Sequence, residues 1–374
     1  MGERVGPGAP LESWWVPTGV LIGTAALVTL ALVARHRGVL RRRTAAVVVG
    51  VVGSLLTVLS GLNSYVGYLP SPRALPAMVG FPGAAPVRGD GDLPPGRGSL
   101  IASLRLGAPA LRVPTQSVYL YLPPGYRAGA GLRYPVLYLY GGWPGRSTDW
   151  LVAGQIQGVL DDLIAARRVE PMIVVMPDTT LGGFHDTECL DAVGGPRLES
   201  FLTGTLVRYV DTHFRTLASR TGRALGGMSS GGYGALNLGL HHTDAVGTIA
   251  ALEPYPSPGD GPESSALRND PALVRRNTLT EHVPTMRFAG PVPVFLDWPE
   301  HASATERADN RRLAALLRSR GQAVTTATEP TSHTWHQAQY AAPAMLEFLS
   351  AHLARPTRVP VSSPEPATAP GAPR

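Results

Sequence analysis

The chain has 374 residues, 44% apolar, with 43 Gly and 36 Pro, which is room for one large domain plus accessories. Its net charge is +6 and every basic residue is Arg; five of them fall between residues 35 and 43, and no basic–aromatic interleaving appears, which excludes a nucleic-acid partner. A single cysteine, Cys189, excludes an internal disulfide or a cysteine-built metal site, and no other metal constellation appears, so no cofactor is expected.

Residues 17–34 (PTGVLIGTAALVTLALVA) and 44–69 (TAAVVVGVVGSLLTVLSGLNSYVGYL) carry no charge. A membrane span takes roughly 20 apolar residues, so residues 1–69 read as a membrane hairpin with spans at about 17–34 and 44–66. The intervening RHRGVLRRR is strongly basic, and the positive-inside rule puts it in the cytoplasm with both termini outside. The alternatives are a buried helical hairpin or a cleaved signal peptide. The second is disfavoured because the start lacks a positive excess and the first run ends in Arg. Neither span holds an ionisable side chain, which argues against a transporter.

Residues 70–98 are Pro/Gly-rich and read as an extended linker. Residues 355–374 read as a disordered tail. Between them, residues 99–354 alternate apolar runs with amphipathic segments. The runs are 99–106, 117–122, 135–140, 172–177, 223–228, 246–252, 293–298 and 323–328; candidate helices include 155–168, 197–214 and 307–321. Near-continuous apolar strands alternating with helices predict an α/β fold with a mostly parallel sheet flanked by helices. Ligands bind such sheets beyond the strands' carboxyl ends.

One strand-to-helix turn has a distinctive sequence. RALGGM (223–228) is followed by SSGGYGALNLGLHH, so Gly227-Met228-Ser229-Ser230-Gly231 fits G-x-S-x-G. That pattern is common by chance in a Gly-rich chain, where it can be a structural turn. At a strand–helix junction it predicts a nucleophile elbow with Ser229 exposed at the turn. The N–H of Ser230 then points where an oxyanion would form. The base should follow the last strand, which selects His333 in PTSHTWHQAQY (330–340); His336, about one turn on, reads as surface or supporting. His241 and His242, at the end of the helix after the elbow, read as solvent-facing; His185 and His301 lie in loops without a clear assignment. A second oxyanion donor is expected from the loop Tyr140-Gly141-Gly142-Trp143, with Gly142 as donor and Gly141 and Trp143 lining the substrate; Trp150 lines the site or packs.

The acid should follow the 293–298 strand. Glu300 lies near its tip and Glu306 a few residues on, where Ser303-x-x-Glu306 also reads as a capping box; Glu300 is slightly preferred. Asp297 reads as still within the strand. Cys189 reads as buried under a loop.

Taken in order, YLYLPPGY (119–126), RYPVLYLYGG (133–142), ESFLTGTLVRYVDTHFRT (199–216), GGMSSGGYGAL (226–236), Arg268-Asn269-Asp270-Pro271, NRRLAALLRSRG (310–321) and SHTW (332–335) resemble the esterases of the esterase D group. That group includes the mycobacterial mycolyltransferases. The resemblance spans roughly residues 99–354. It implies an α/β-hydrolase fold, Ser229 as nucleophile, His333 as base, and hydrolysis of esters or acyl transfer between hydroxyls through an acyl-enzyme. Two departures stand out. The family's acid position falls near Ala302 or Ser303, and its acidic acceptor-binding position is Tyr140 here, with Arg146 only loosely matched. A trehalose acceptor is therefore not supported, and the hairpin is additional to that core.

Two functions compete. One is a membrane-anchored, extracytoplasmic serine esterase or acyltransferase acting on an acyl ester or glycolipid, with residues 254–292 shaping an acyl or acceptor site. The other is a catalytically degenerate hydrolase-fold binding protein of the envelope, which the uncertain acid would favour. The sequence carries no signal for an oligomeric state.

Overall fold

The computed structural model describes residues 11–33, 40–78, 80–128, 131–182, 186–259 and 266–358. The predicted 35–43 loop lies partly outside these residues, His185 entirely so, and the tail beyond residue 358 likewise.

The apolar runs form a nine-stranded sheet in the order β1 (Ala85–Pro86), β2 (Leu100–Ala108), β3 (Val113–Leu122), β6 (Ile173–Met176), β5 (Val136–Tyr140), β7 (Arg223–Met228), β8 (Thr248–Leu252), β9 (Val294–Pro299), β10 (Val324–Glu329). From β6 through β10 all pairings are parallel, while β3 pairs antiparallel with both β2 and β6. The central strands β5, β6, β7 and β8 are buried along their whole length, as expected when both faces are covered. The connecting helices are α3 (Asp149–Val152), α4 (Ile156–Ala165), α5 (Leu198–Ser200), α6 (Val207–His213), α7 (Ser230–His241), α8 (Pro271–Asn277), α9 (Leu279–His282), α10 (Ala304–Ser319) and α11 (Trp335–His352). A π-helical stretch, Phe201–Leu206, joins α5 to α6. Two core clusters fill the space on the two sides of the sheet. Leu236, Phe201 and Leu313 belong to one, Leu160, Trp150 and Leu346 to the other.

Residues 70–98 differ from the expected extended linker. β1 pairs with β2, and Asp90 accepts a 3.1 Å bond from the Arg215 guanidinium and a bond from the Tyr126 hydroxyl. Arg127 donates to the carbonyls of Pro94, Pro95 and Gly98. Lacking a core of its own, the segment satisfies its backbone against the domain. The predicted tail likewise begins later than residue 355, because β11 (Thr357–Arg358) pairs with β4 (Leu132–Arg133).

At the N-terminus, α1 (Trp15–Val33) and α2 (Leu40–Val66) pack together. A Cβ at Gly53 would overlap the Thr24 side chain, so glycine sets this close approach. Thr24, Thr57, Ser60 and Ser64 each return their hydroxyl to a carbonyl of their own helix, leaving few polar groups unpaired. Of the two expected spans, only Ala46–Val66 has the length and hydropathy to cross a membrane; the first apolar segment, Trp15–Leu30, is shorter. At about 1.5 Å per residue the shorter segment reaches only about 24 Å.

His241 and His242 are not simply solvent-facing. His242 Nε2 lies 3.1 Å from Glu199 Oε1, and the His241 ring packs edge-on against His282 at 4.3 Å. Burial pushes His241 down to about 4. Cys189 is fully buried and free, which raises its thiol well above the usual range.

Candidate active site

Ser229 follows β7 and caps α7 with φ 56° and ψ −123°, a region that side-chain-bearing residues rarely occupy. Its N–H donates to Leu252 O at 2.9 Å, and its carbonyl accepts from Tyr233 N at 2.8 Å. Two neighbouring glycines make room for the turn: a Cβ on Gly227 would strike the backbone of Gly231, and one on Gly231 would strike the carbonyls of Tyr140 and Gly141. The strain thus holds Ser229 at the carboxyl edge of the sheet.

His333, on the loop between β10 and α11, sets Nε2 2.8 Å from Ser229 Oγ. The other ring nitrogen, Nδ1, lies 3.5 Å from Glu306 Oε1. The hydrogen bond from His333 outweighs partial burial and lowers the Glu306 pKa. Glu306 uses its N–H, not its carboxylate, for the helix cap, donating to Ser303 Oγ at 3.1 Å. Glu300, the carboxylate preferred from sequence, is corrected here. It is exposed on the turn after β9, where its N–H donates to Glu329 O at 2.9 Å, and its side chain makes no described contact with His333. The turn at 300–303 carries the chain away from the strand tip, so the first turn of α10 comes back to face His333. Asp297 remains in β9, buried and hydrogen-bonded by Gln337; burial pushes it up to about 7.

Gly142 also approaches Ser229 closely: a Cβ there would lie 3.2 Å from Ser229 Cβ and 3.8 Å from Oγ. The absence of that Cβ lets the loop backbone stand beside the serine. Gly141 O accepts from Thr179 Oγ1 at 3.2 Å. Ser230 opens α7, and its hydroxyl donates to Asp186 at 2.5 Å, leaving its N–H in the helix's first turn, where the dipole favours negative charge. Trp143 is half-buried on the loop, while Trp150 packs: it is 2% exposed and donates Nε1–H to Tyr140 O at 2.9 Å. Tyr140, at the acceptor-binding position of the resemblance, is fully buried.

Sequence reasoning missed the support beneath this loop. Asp149 accepts from Arg146 N at 2.8 Å and from the Tyr68 hydroxyl at 2.6 Å. Burial raises Asp149 to about 6 against the pull of both bonds. Tyr68 lies two residues beyond α2, so the helical hairpin is bonded to the loop beside the serine. His336, expected at the surface or in a supporting role, also reaches the hairpin, with Nε2 3.2 Å from Ser64 O. A cleft of about 530 Å³ opens at this junction, lined by Trp14, Trp15, Tyr65, Ser332, Thr334 and His336 among others. No pattern in one segment announces contacts across 81 and 272 residues. Among the described residues no cluster of three or more His, Cys, Asp or Glu could hold a metal.

An α/β-hydrolase sheet with a strained serine at the central elbow defines the class. Residues 115–349, more than half of the chain, match the family described as "Putative esterase", and the chain belongs to that family. It is 34% identical over 138 residues to an endo-1,4-beta-xylanase/feruloyl esterase of Xylanibacter ruminicola, covering 35% of this chain and 18% of that one. It is 33% identical over 157 residues to an esterase of Mycobacterium tuberculosis, covering 42% and 31% respectively. The chain thus matches less than a third of either relative's length. Among solved structures, a ferulic acid esterase aligns with TM-score 0.61 at 22% identity, covering 69% of this chain and all of that one. An S-formylglutathione hydrolase from Agrobacterium tumefaciens aligns with TM-score 0.58 at 19% identity, covering 70% and 98%. At these identities the structural likeness establishes the fold.

Proposed function

We propose that the chain is a membrane-anchored, extracytoplasmic serine esterase or acyltransferase that works through an acyl-enzyme on Ser229. The observation that carries this reading is the 2.8 Å approach of His333 Nε2 to Ser229 Oγ at a strained elbow. In this reading His333 takes the hydroxyl proton as Ser229 Oγ attacks the ester carbonyl. Glu306 holds the ring through Nδ1 and stabilises the imidazolium. The N–H groups of Ser230 and Gly142 receive the oxyanion. His333 then returns the proton to the departing alkoxide, and water or a hydroxylated acceptor enters by the reverse route. The His333 side chain is 44% exposed, which gives that second nucleophile access.

The anchoring half rests on the hairpin surface. Ile22, Leu30, Val47, Val51 and Val58 are each more than 60% exposed, a contiguous apolar face that water does not favour. The charge-free α1 sequence and the Arg-rich connection support the hydrolase domain lying outside, with the junction cleft at the membrane surface. An acyl ester or a glycolipid with its acyl chain in the bilayer fits that position. The relatives named as esterases, feruloyl esterases among them, support ester chemistry in general.

The test is hydrolysis of p-nitrophenyl acyl esters by the full chain in detergent. Turnover should disappear in Ser229→Ala and in His333→Ala. A folded wild type without turnover on any chain length, unlabelled by a phosphonylating probe, would favour the non-catalytic binding protein.

A further inference from the structure

A second carboxyl group faces the imidazole. Glu253, the residue after β8, has Oε2 3.5 Å from His333 Nε2, the same nitrogen that meets Ser229 Oγ at 2.8 Å. Its backbone is left-handed, with φ 52°, and its N–H donates to Asp297 O at 2.7 Å. This bend sits one strand over from the Ser229 elbow and turns the side chain toward it. The side chain is 0% exposed, and neither oxygen has a well-formed hydrogen bond. A buried carboxyl in a left-handed turn is an expensive way to fill space, and an apolar residue would pack there without the penalty.

The surroundings of Glu253 determine its charge. Burial, then Asp297 on β9, then Glu306 on α10 raise it well above the usual carboxylate range, and the Thr334 N–H lowers it by less. Burial therefore favours the protonated form of Glu253, whose Oε2 faces His333 Nε2.

Building on the Ser229–His333 reading, we infer that Glu253 is a positioning residue that shares one proton with His333 Nε2, so that the base alternates between an active neutral pair and an inactive ion pair. In the neutral pair the proton stays on Glu253 Oε2, and Nε2 is free to accept from Ser229 Oγ. In the ion pair that proton has moved to Nε2, leaving a carboxylate facing an imidazolium. The transfer conserves charge and needs no third group. The ion pair cannot take the serine's proton. Glu306 cannot play this part, since it faces Nδ1.

Coupled groups titrate as a pair, in two macroscopic steps. At low pH both groups are protonated and the base is absent. At intermediate pH one proton is shared, and only the neutral-pair fraction reacts. At high pH both protons have gone and the base is fully available. The rate should therefore climb in two steps. Glu253→Gln keeps the shape but cannot donate its proton to the ring, so it should climb in one.

The experiment measures the second-order rate of fluorophosphonate labelling of Ser229 in the full chain between about pH 5 and 9.5. It compares wild type, Glu253→Gln and Glu253→Ala. The inference predicts two steps for wild type and one for each variant. It also predicts that Glu253→Gln labels faster than wild type on the intermediate plateau, by the share of wild type held there as the ion pair. Profiles that superimpose after scaling would overturn the inference while leaving Ser229 as nucleophile; no labelling at any pH would overturn both. The ring ¹³Cε1 shift of His333 in wild type gives an answer that requires no variant: it should titrate in two steps, and a single step contradicts proton sharing.

Discussion

The carboxyl edge of the sheet and the helical hairpin treat exposure in opposite ways. At the sheet edge a polar serine is held in a strained turn against His333, with a buried glutamate behind it and glycines clearing the space. In the hairpin, apolar side chains face outward along both helices and the hydroxyls turn inward to their own backbone. One region gathers polar groups and backbone strain around Ser229; the other presents apolar side chains on its surface. The two meet at the bond from Tyr68 to Asp149, under the loop that stands beside Ser229, and at His336 against Ser64 O. The comparison predicts that damage at the sheet edge abolishes reaction, damage at the junction weakens it, and damage within the hairpin leaves it nearly intact.

The largest effect belongs to the serine. Ser229→Ala and His333→Ala should each lower ester turnover by on the order of 10³-fold or more, with the folded state preserved by circular dichroism. Next come the two carboxylates. Glu306→Gln should cost on the order of 10²–10⁴ in kcat, whereas Glu300→Gln should stay within about twofold of wild type. Equal losses would mean that the α10 carboxylate does not hold the ring. At the junction, Tyr68→Phe removes a donor from a buried carboxylate and should destabilise the chain by about 1–3 kcal/mol in thermal unfolding, with a smaller fall in kcat than Glu306→Gln.

Asp149 supplies a pH dependence. Its folded pKa of about 6 lies above the usual 3.8, so the folded state binds the proton more tightly. Its contribution to stability is therefore present below the usual value and is lost as pH rises toward the folded one. Stability should fall across that window, by up to about 3 kcal/mol from this group before relaxation, and Asp149→Asn should flatten the slope. The smallest effect on reaction is expected inside the hairpin. Gly53→Val would press on Thr24 and loosen the α1–α2 contact at a cost of about 1–3 kcal/mol, while turnover changes by less than about twofold. A large loss of turnover there would mean that the two regions are coupled beyond the Tyr68 and His336 bonds.

Much of this was legible locally. Apolar runs mark the eight long strands to within a few residues, because buried parallel strands need continuous apolar sequence. The elbow could be read because its glycines answer a steric demand within five residues. The identity of the acid could not be read. Glu300 and Glu306 differ in how the chain turns after β9, and that is decided by packing of α10 against the domain. Glu253 gave no signal at all, since a glutamate after a strand looks like an ordinary loop residue until the β8 and β9 tips are side by side. Residues 70–98 misled for a related reason. A Pro/Gly-rich composition excludes a core of its own, yet it does not exclude docking on another through Asp90 and backbone carbonyls.

The most direct test of the central claim is to map the covalent adduct of a fluorophosphonate on the full chain in detergent, by peptide mass spectrometry. The account predicts a single adduct on Ser229 that is lost in Ser229→Ala and slowed in His333→Ala. A folded chain that acquires no adduct, or acquires it on another residue, would contradict it.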